Sequence, residues 1–239
     1  PVTRLNAVNF KPNFGTPFND QIQGGDGDDT IAAIGGDDSI EAGQGNDTVD
    51  GGVGDDLING GKGNDELIGG DGRDRVSYLP RLPGFLLSEE GGAPVVINLA
   101  LGVARGSEVG EDKLNGIEDA EGADGPDTII GSNGPNLLVG WAGSDTLTGS
   151  DGDDTLVGGA GADQLDGGPG SDTAQFQAAW KDYTLQIDTA TDQITVSDGN
   201  AYRDGRDVLT GIEFLFFSDR LLTLQDVRSG GSGTLITTN

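Results

Sequence analysis

The chain has 239 residues, 44 of them Gly, and carries 41 acidic against 13 basic side chains, a formal charge of −28. That charge argues against nucleic acid and anionic membrane surfaces, which need clustered Lys and Arg, and makes cations the expected partner. With no His and no Cys, the chain cannot build a Ser-His-Asp triad, a histidine-ligated zinc site, a thiolate nucleophile, a disulfide or an Fe–S cluster. No apolar run approaches the roughly 20 residues of a membrane helix, and no signal peptide with a basic start and apolar middle is seen. The chain begins at Pro1 and lacks Met, as expected of a processed chain or excised domain.

Residues 1–14 read as a lead-in. From Gly15 onward an acidic residue recurs every nine positions, at Asp20, Asp29, Asp38, Asp47, Asp56, Asp65 and Asp74. Two positions after each comes an apolar residue: Ile22, Ile31, Ile40, Val49, Ile58, Leu67 and Val76. This first array spans 15–77. Residues 78–121 break the register and read as a β insertion, with a strand at VVINL (95–99) and a loop over 84–93. A second array, 122–174, has Asp127, Asn136, Asp145, Asp154, Asp163 and Asp172, with Ile129, Leu138, Leu147, Leu156, Leu165 and Ala174 in the apolar slot.

Residues 175–228 are of a different kind, holding most of the aromatic residues. DYTLQIDTATDQITVSD (182–198) reads as two alternating strands around a turn at 189–191, and DVLTGIEFLFFSD (207–219) as one further, more apolar strand ending at Ser218. A solenoid end exposes strand edges and apolar interior, so this segment is expected to be a cap, with Phe214 and Phe216 or Phe217 in its core. Residues 229–239 read as a flexible tail. The insertion and the cap share D-x-L-x-G-I-E, in EDKLNGIED (111–119) and RDVLTGIEF (206–214).

Each repeat reads G-G-x-G-x-D-x-U-x, where U is apolar, as in GGDGDDTIA (24–32), GGKGNDELI (60–68), GSDGDDTLV (149–157) and GGAGADQLD (158–166). This resembles the RTX, or hemolysin-type calcium-binding, nonapeptide repeat of secreted bacterial proteins, a repeat of β-helical architecture. The resemblance implies an all-β fold: a parallel β-roll, or right-handed β-helix solenoid, in two arrays, with the β insertion between them and the β cap at the end. Positions 1–6 form a glycine turn and positions 7–9 a strand whose U residue points inward. Two repeats make one turn, so residues 18 apart stack. Asp20, Asp38, Asp56 and Asp74 then share one edge, and Asp29, Asp47 and Asp65 the other.

Carboxylates stacked at the strand spacing of about 4.8 Å need a counter-charge, and a hard cation taking six or more oxygens supplies it. By the resemblance, each Ca2+ takes carbonyls from positions 2 and 4 and the position-6 carboxylate of one repeat. Carbonyls of positions 1 and 3 and the carboxylate of the repeat two further on complete the set. Gly25, Gly27 and Asp29 thus join Ala42, Gln44 and Asp47, and Asp20 stacks on Asp38. Gly36 and Asp38 join Gly51, Val53 and Asp56; Gly43, Gly45 and Asp47 join Gly60, Lys62 and Asp65. Gly52, Gly54 and Asp56 join Gly69, Asp71 and Asp74. In the second array Ala123, Gly125 and Asp127 join Gly140, Ala142 and Asp145, and Asn136 joins Gly149, Asp151 and Asp154. Gly143 and Asp145 join Gly158, Ala160 and Asp163, and Gly152 and Asp154 join Gly167, Pro169 and Asp172. Asn136 offers oxygen without charge and predicts a weaker site; Trp141, at a Gly position, is expected outside.

Other chemistries fit less well. An EF-hand needs Gly at its sixth position and Glu at its twelfth, and DGDDTI (26–31) and DGDDTL (151–156) lack that Gly. A glycosidase pair needs two carboxylates in distinct environments, whereas the repeat makes every Asp equivalent. No catalytic residue is expected. The resemblance implies a module that folds on calcium outside the cell and stabilises or helps export a larger protein through type I secretion. Its alternatives are the non-catalytic part of an extracellular protease, lipase or alginate epimerase, and a segment of an adhesin or surface-layer protein.

Overall fold

Every nonapeptide offers one inward residue, so burial requires that the same slot of successive turns be stacked. The computed structural model describes residues 3–6, 13–79, 93–188, 190–200, 203–228 and 234–238, and in it the stacking is parallel and in register. Ile22 pairs with Ile40, Ile40 with Ile58 and Ile58 with Val76. On the other sheet Ile31 pairs with Val49 and Val49 with Leu67. All seven are buried. The chain divides into two compact units, 1–123 and 124–239, each a parallel β-solenoid with two sheets.

In the first unit one sheet contains Asp20–Asp26, Ser39–Gln44, Leu57–Lys62 and Arg75–Ser77, and the other Thr30–Ala32, Thr48–Val53 and Glu66–Asp71. The lead-in joins them: Thr3–Asn6 lies parallel to residues 20–23, and Asn13–Phe14 to residues 31–32. The segment 78–121, read as a β insertion, also joins the coil. Its last part resumes the coil, because Leu67 pairs with Leu114 and Val76 with Ala120. Val95–Asn98, Val103–Gly106 and Gly110–Asn115 form an antiparallel meander, and the last of these strands also lies parallel to Glu66–Asp71. The expected strand at 95–99 is therefore present, and the expected loop at 84–93 falls almost wholly outside the described residues.

The second unit repeats the scheme. Ile129, Leu147 and Leu165 form one column and Leu138, Leu156 and Ala174 another, and Leu209 and Leu215 extend them. The apolar run after Asp207 is not one strand but two, Arg206–Thr210 and Phe214–Phe217, in different sheets. Gly211, at φ +59°, turns the chain between them, which lets Leu209 and Leu215 each cover a different column. Tyr183–Asp188 and Ile194–Asp198 form the expected antiparallel pair. Residues 234–238, expected within a flexible tail, form a strand parallel to Tyr183–Asp188.

The aromatic cluster lies beside this closing turn. Phe217 stacks on Phe176 at 5.1 Å and meets Trp180 and Tyr183 at 5.1 and 5.0 Å. Phe217 is fully buried whereas Phe216 is 42% exposed, as strand alternation requires. Phe217→Ala is therefore expected to lower the stability of the second unit by about 3–5 kcal/mol, and Phe216→Ala by no more than about 0.5 kcal/mol. Denaturant melts in saturating calcium measure both; equal losses would contradict the packing.

Candidate metal centre

The position-6 acids, placed at the entry to each strand, form hydrogen-bonded ladders. The main-chain N–H of Asp20 donates to Asp38 Oδ1 at 2.7 Å, that of Asp38 to Asp56 Oδ1 at 2.8 Å and that of Asp56 to Asp74 Oδ1 at 2.9 Å. On the opposite edge Asp29 donates to Asp47 at 2.7 Å and Asp47 to Asp65 at 2.8 Å. The second unit has Asp127 to Asp145, Asn136 to Asp154 and Asp154 to Asp172, all at 2.8 Å, and Asp145 to Asp163 at 2.9 Å. Both edges expected for the first array, and the two of the second, are formed.

Four acids that the repeat pattern passes over continue these ladders. Asp65 donates to Asp112 Oδ1 and Asp74 to Glu118 Oε2, each at 2.9 Å. Asp163 donates to Asp207 Oδ1 at 3.0 Å and Asp172 to Glu213 Oε2 at 2.8 Å. A signal was available: Asp112 and Asp207 precede Leu114 and Leu209 by two positions, like each Asp of the arrays, and both sit in the shared D-x-L-x-G-I-E.

One oxygen of each rung is thus satisfied, and the other is the unusual feature. Oδ2 of Asp38, Asp47, Asp56, Asp65, Asp74, Asp145, Asp163 and Asp172, and Oδ1 of Asp20, are buried with no hydrogen-bond partner. A buried carboxylate oxygen without a partner costs several kcal/mol if charged. The titration reflects it. Burial, helped by neighbouring carboxylates and opposed by the main-chain N–H, pushes Asp56 and Asp145 up to about 7. Asp38, Asp47, Asp74 and Asp172 rise to about 6 for the same reasons, as does Asp65, whose neighbouring carboxylate is Asp112. Asp163 and Asp207, which share a hydrogen bond, are both raised by burial.

Several carboxylates of the ladders lie beside carbonyls. A Cβ built on Gly51 would collide with Asp56 Oδ2 and approach Gly69 O to 2.6 Å; on Gly140 it would meet Asp145 Oδ2 and come within 2.6 Å of Gly158 O. Gly149 has the same relation to Asp154 and to Gly167 O, and Gly24 to Asp29, 3.0 Å away, and Ala42 O. Each case brings the carboxylate of one repeat together with the position-1 carbonyl two repeats later, as the resemblance implies for Asp29 with Ala42, Asp56 with Gly69, Asp145 with Gly158 and Asp154 with Gly167. Gly60 and Gly158 lie against their own Asp65 and Asp163.

The remaining expected ligands lie in the turns. Position-3 carbonyls accept an N–H from position 4 of the turn before: Gly27 to Gln44 at 2.5 Å, Gly36 to Val53, Gly45 to Lys62 and Gly54 to Asp71 at 2.8 Å, and Gly152 to Pro169 at 3.1 Å. A carbonyl has a second lone pair for a metal. In most repeats positions 2 and 4 take left-handed backbone, as at Gly43 (φ +121°), Gly52 (φ +104°) and Gly143 (φ +142°), and even Ile34 and Trp141 adopt it, at φ +80° and +76°. Trp141 is 42% exposed, on the outside as expected. In the second array Ala142 and Ala160 are in register, and Gly125 O faces Gly143. Ala123 is the last residue of the first unit, whereas Gly125, Asp127, Gly140 and Asp151 belong to the second. Asn136 Oδ1 accepts the Ser132 N–H at 2.7 Å, and its Nδ2 donates to Ser132 Oγ at 3.1 Å.

Among the described residues no three acidic side chains gather into a cage; carboxylates come in stacked pairs among turn carbonyls. Buried unpartnered anionic oxygens beside carbonyls fit a hard, oxygen-seeking cation such as Ca2+. The RTX calcium-binding nonapeptide repeat model matches in four copies, at residues 14–49, 50–78, 121–156 and 142–174. No match is found among curated proteins. Among solved structures the chain is similar to the extracellular lipase LipA from Serratia marcescens, at 20% identity and a TM-score of 0.24, over 87% of this chain and 40% of that one. The chain thus spans less than half of the lipase's length. The matched repeats, together with the ladders they build, place this chain in the RTX calcium-binding nonapeptide repeat family.

Proposed function

We propose that both units are calcium-dependent folding modules of an exported protein, in which ion binding and coil formation are one event. The observation that carries this reading is the row of buried, unpartnered carboxylate oxygens, with a turn carbonyl beside those of Asp56, Asp74, Asp145 and Asp172. Without a cation the stacked charges oppose the coil, and the glycine turns have high conformational freedom to lose. With one, binding free energy becomes folding free energy. The ligand sets are those the repeat implies, from Gly25, Gly27, Asp29, Ala42, Gln44 and Asp47 in the first unit to Gly152, Asp154, Gly167, Pro169 and Asp172 in the second. A chain that stays open where calcium is scarce and folds where it is plentiful suits export by type I secretion into an extracellular setting. In this reading the module supplies stability and does no catalysis.

Circular dichroism tests the coupling: in EDTA at pH 7.5 the β signal should be weak and the hydrodynamic radius large, and about millimolar Ca2+ should restore both. Mg2+ should do so poorly, because it holds its waters and demands a tight octahedron. Full β structure in EDTA would end the proposal. Asp47→Ala is expected to raise the calcium requirement of the first unit, and Asp154→Ala that of the second, followed unit by unit with amide exchange.

The pH response has a definite sign. Folded carboxyls near 6–7 compare with about 3.9 for an unfolded Asp. Protonation therefore favours the metal-free fold, fully below about pH 4 and not at all once the pH has risen through 6–7. In EDTA the β signal should grow as pH falls from 7.5 to 4.5. Over the same window calcium affinity should drop, as protons compete for the same oxygens. A flat metal-free signal across that range would contradict the geometry.

A further inference from the structure

The shared G-I-E of the two closing turns occupies the place of a repeat without being one. In an interior turn, Gly69 O stands beside Gly51 together with the unpartnered Asp56 Oδ2. At the end of the first unit, Gly116 O stands beside Gly69 in the same way, with Asp74 Oδ2. At the end of the second, Gly211 O stands beside Gly167 with Asp172 Oδ2. Asp74 and Asp172 are fully buried, and these oxygens have no partner. Oδ1 of each aspartate is turned back to the preceding rung, accepting the N–H of Asp56 or Asp154. The unpartnered oxygen is thus the one directed forward, to the closing turn.

Two residues after the glycine, Glu118 and Glu213 take the place that an aspartate five residues on holds in a repeat. Their Oε2 atoms accept the Asp74 and Asp172 N–H groups at 2.9 and 2.8 Å. The backbone agrees in detail: the Asp74 carbonyl accepts N–H from Glu118 at 3.0 Å and Asp119 at 2.9 Å, and the Asp172 carbonyl from Glu213 at 3.1 Å and Phe214 at 2.9 Å. Cutting the turn from six residues to three removes the carbonyls of positions 2 to 4. The extra methylene of Glu then spans what the shorter backbone does not.

We propose that Asp74 with Gly116 and Glu118, and Asp172 with Gly211 and Glu213, form a terminal calcium site in each unit, completed by a glycine and a glutamate that lie outside the matched repeats. The proposal rests on the calcium reading of the ladders and extends it to the G-I-E motif. Fewer protein oxygens reach these ions than interior ones, so more water completes their shells and they bind more weakly. Each ion ties together residues 44 or 41 positions apart, fastening the excursion that precedes the closing turn.

The test uses the full chain and its Glu118→Gln and Glu213→Gln variants, which keep an acceptor for the N–H and remove the charge. Equilibrium dialysis with radioactive calcium should show one ion fewer per chain in each variant and two fewer in the double variant. The rise of melting temperature with calcium concentration, which reports the ions linked to folding, should flatten accordingly. The exposed Glu66→Gln should change neither. A lower melting temperature with unchanged stoichiometry and slope would overturn the proposal, leaving a hydrogen-bonded closure only, and so would a variant that fails to fold at any calcium concentration. A wild-type chain that takes up no calcium would overturn the interior sites first.

Discussion

A carboxylate that gives one oxygen to a main-chain N–H and leaves the other buried beside a carbonyl is the constraint on which the rest of this structure depends. The first oxygen sets register. Because each Asp accepts the N–H of its counterpart 18 residues earlier, a slip by one residue would break the ladder and turn the apolar slot outward at once. The second oxygen creates the demand for a cation. Stability and specificity are thus divided between two atoms of one side chain. Apolar burial alone gives neither, since one Ile or Leu per nonapeptide contributes about 1.5–3 kcal/mol, less than the backbone ordering of nine residues costs.

Glycine serves the same division. In most repeats positions 2 and 4 take left-handed backbone, and at Gly51, Gly140 and Gly149 position 1 is bare where the carboxylate and the next turn's carbonyl approach one Cα. Ile34 and Trp141 show that the backbone demand outranks residue preference: both accept a conformation unfavourable for a side-chain-bearing residue, and both place that side chain outside. The neighbouring turns enforce the geometry, as expected where each repeat is held by those above and below.

The nine-residue period made most of this legible. It assigned the inward residue of every repeat in both arrays, and the resemblance supplied the register of 18 and the two edges of the first coil. It failed where the period changes. Residues 78–121 read as an insertion because they break the nine-residue register, and within them Leu114 and Ala120 continue the columns. DVLTGIEFLFFSD read as one strand because its apolar content is continuous, whereas Gly211 divides it between two sheets. The side-chain role of Glu118 and Glu213 was hidden for a related reason. A Glu two residues past a turn glycine reaches the same N–H as an Asp five residues past one, and sequence spacing alone does not equate the two. The exposed Phe216 and buried Phe217 depended on which of two alternating faces met the cluster, a choice fixed by pairing with Thr173–Gln175.

Beside the closing turn, carboxylates that are not part of the ladders are met by a different cation. Asp119 and Glu121, both buried, lie one and three residues after Glu118. The Arg73 guanidinium grips Asp119 through two hydrogen bonds of 2.9 and 2.8 Å, and Arg75 holds Glu121 at 2.8 Å. A guanidinium fork satisfies a carboxylate with donors of its own and needs no converging carbonyls, so it works on a turn too short to offer them. The second unit makes a comparable choice away from its ladders, where Arg203 grips the Asp198 carboxylate through two bonds of 2.6 and 2.7 Å. With 13 basic side chains against 41 acidic ones, the chain cannot meet every carboxylate this way. Its arginines hold carboxylates that lie off the ladders, while the buried Oδ2 atoms of Asp38, Asp56 and Asp74 within the ladders have no such partner.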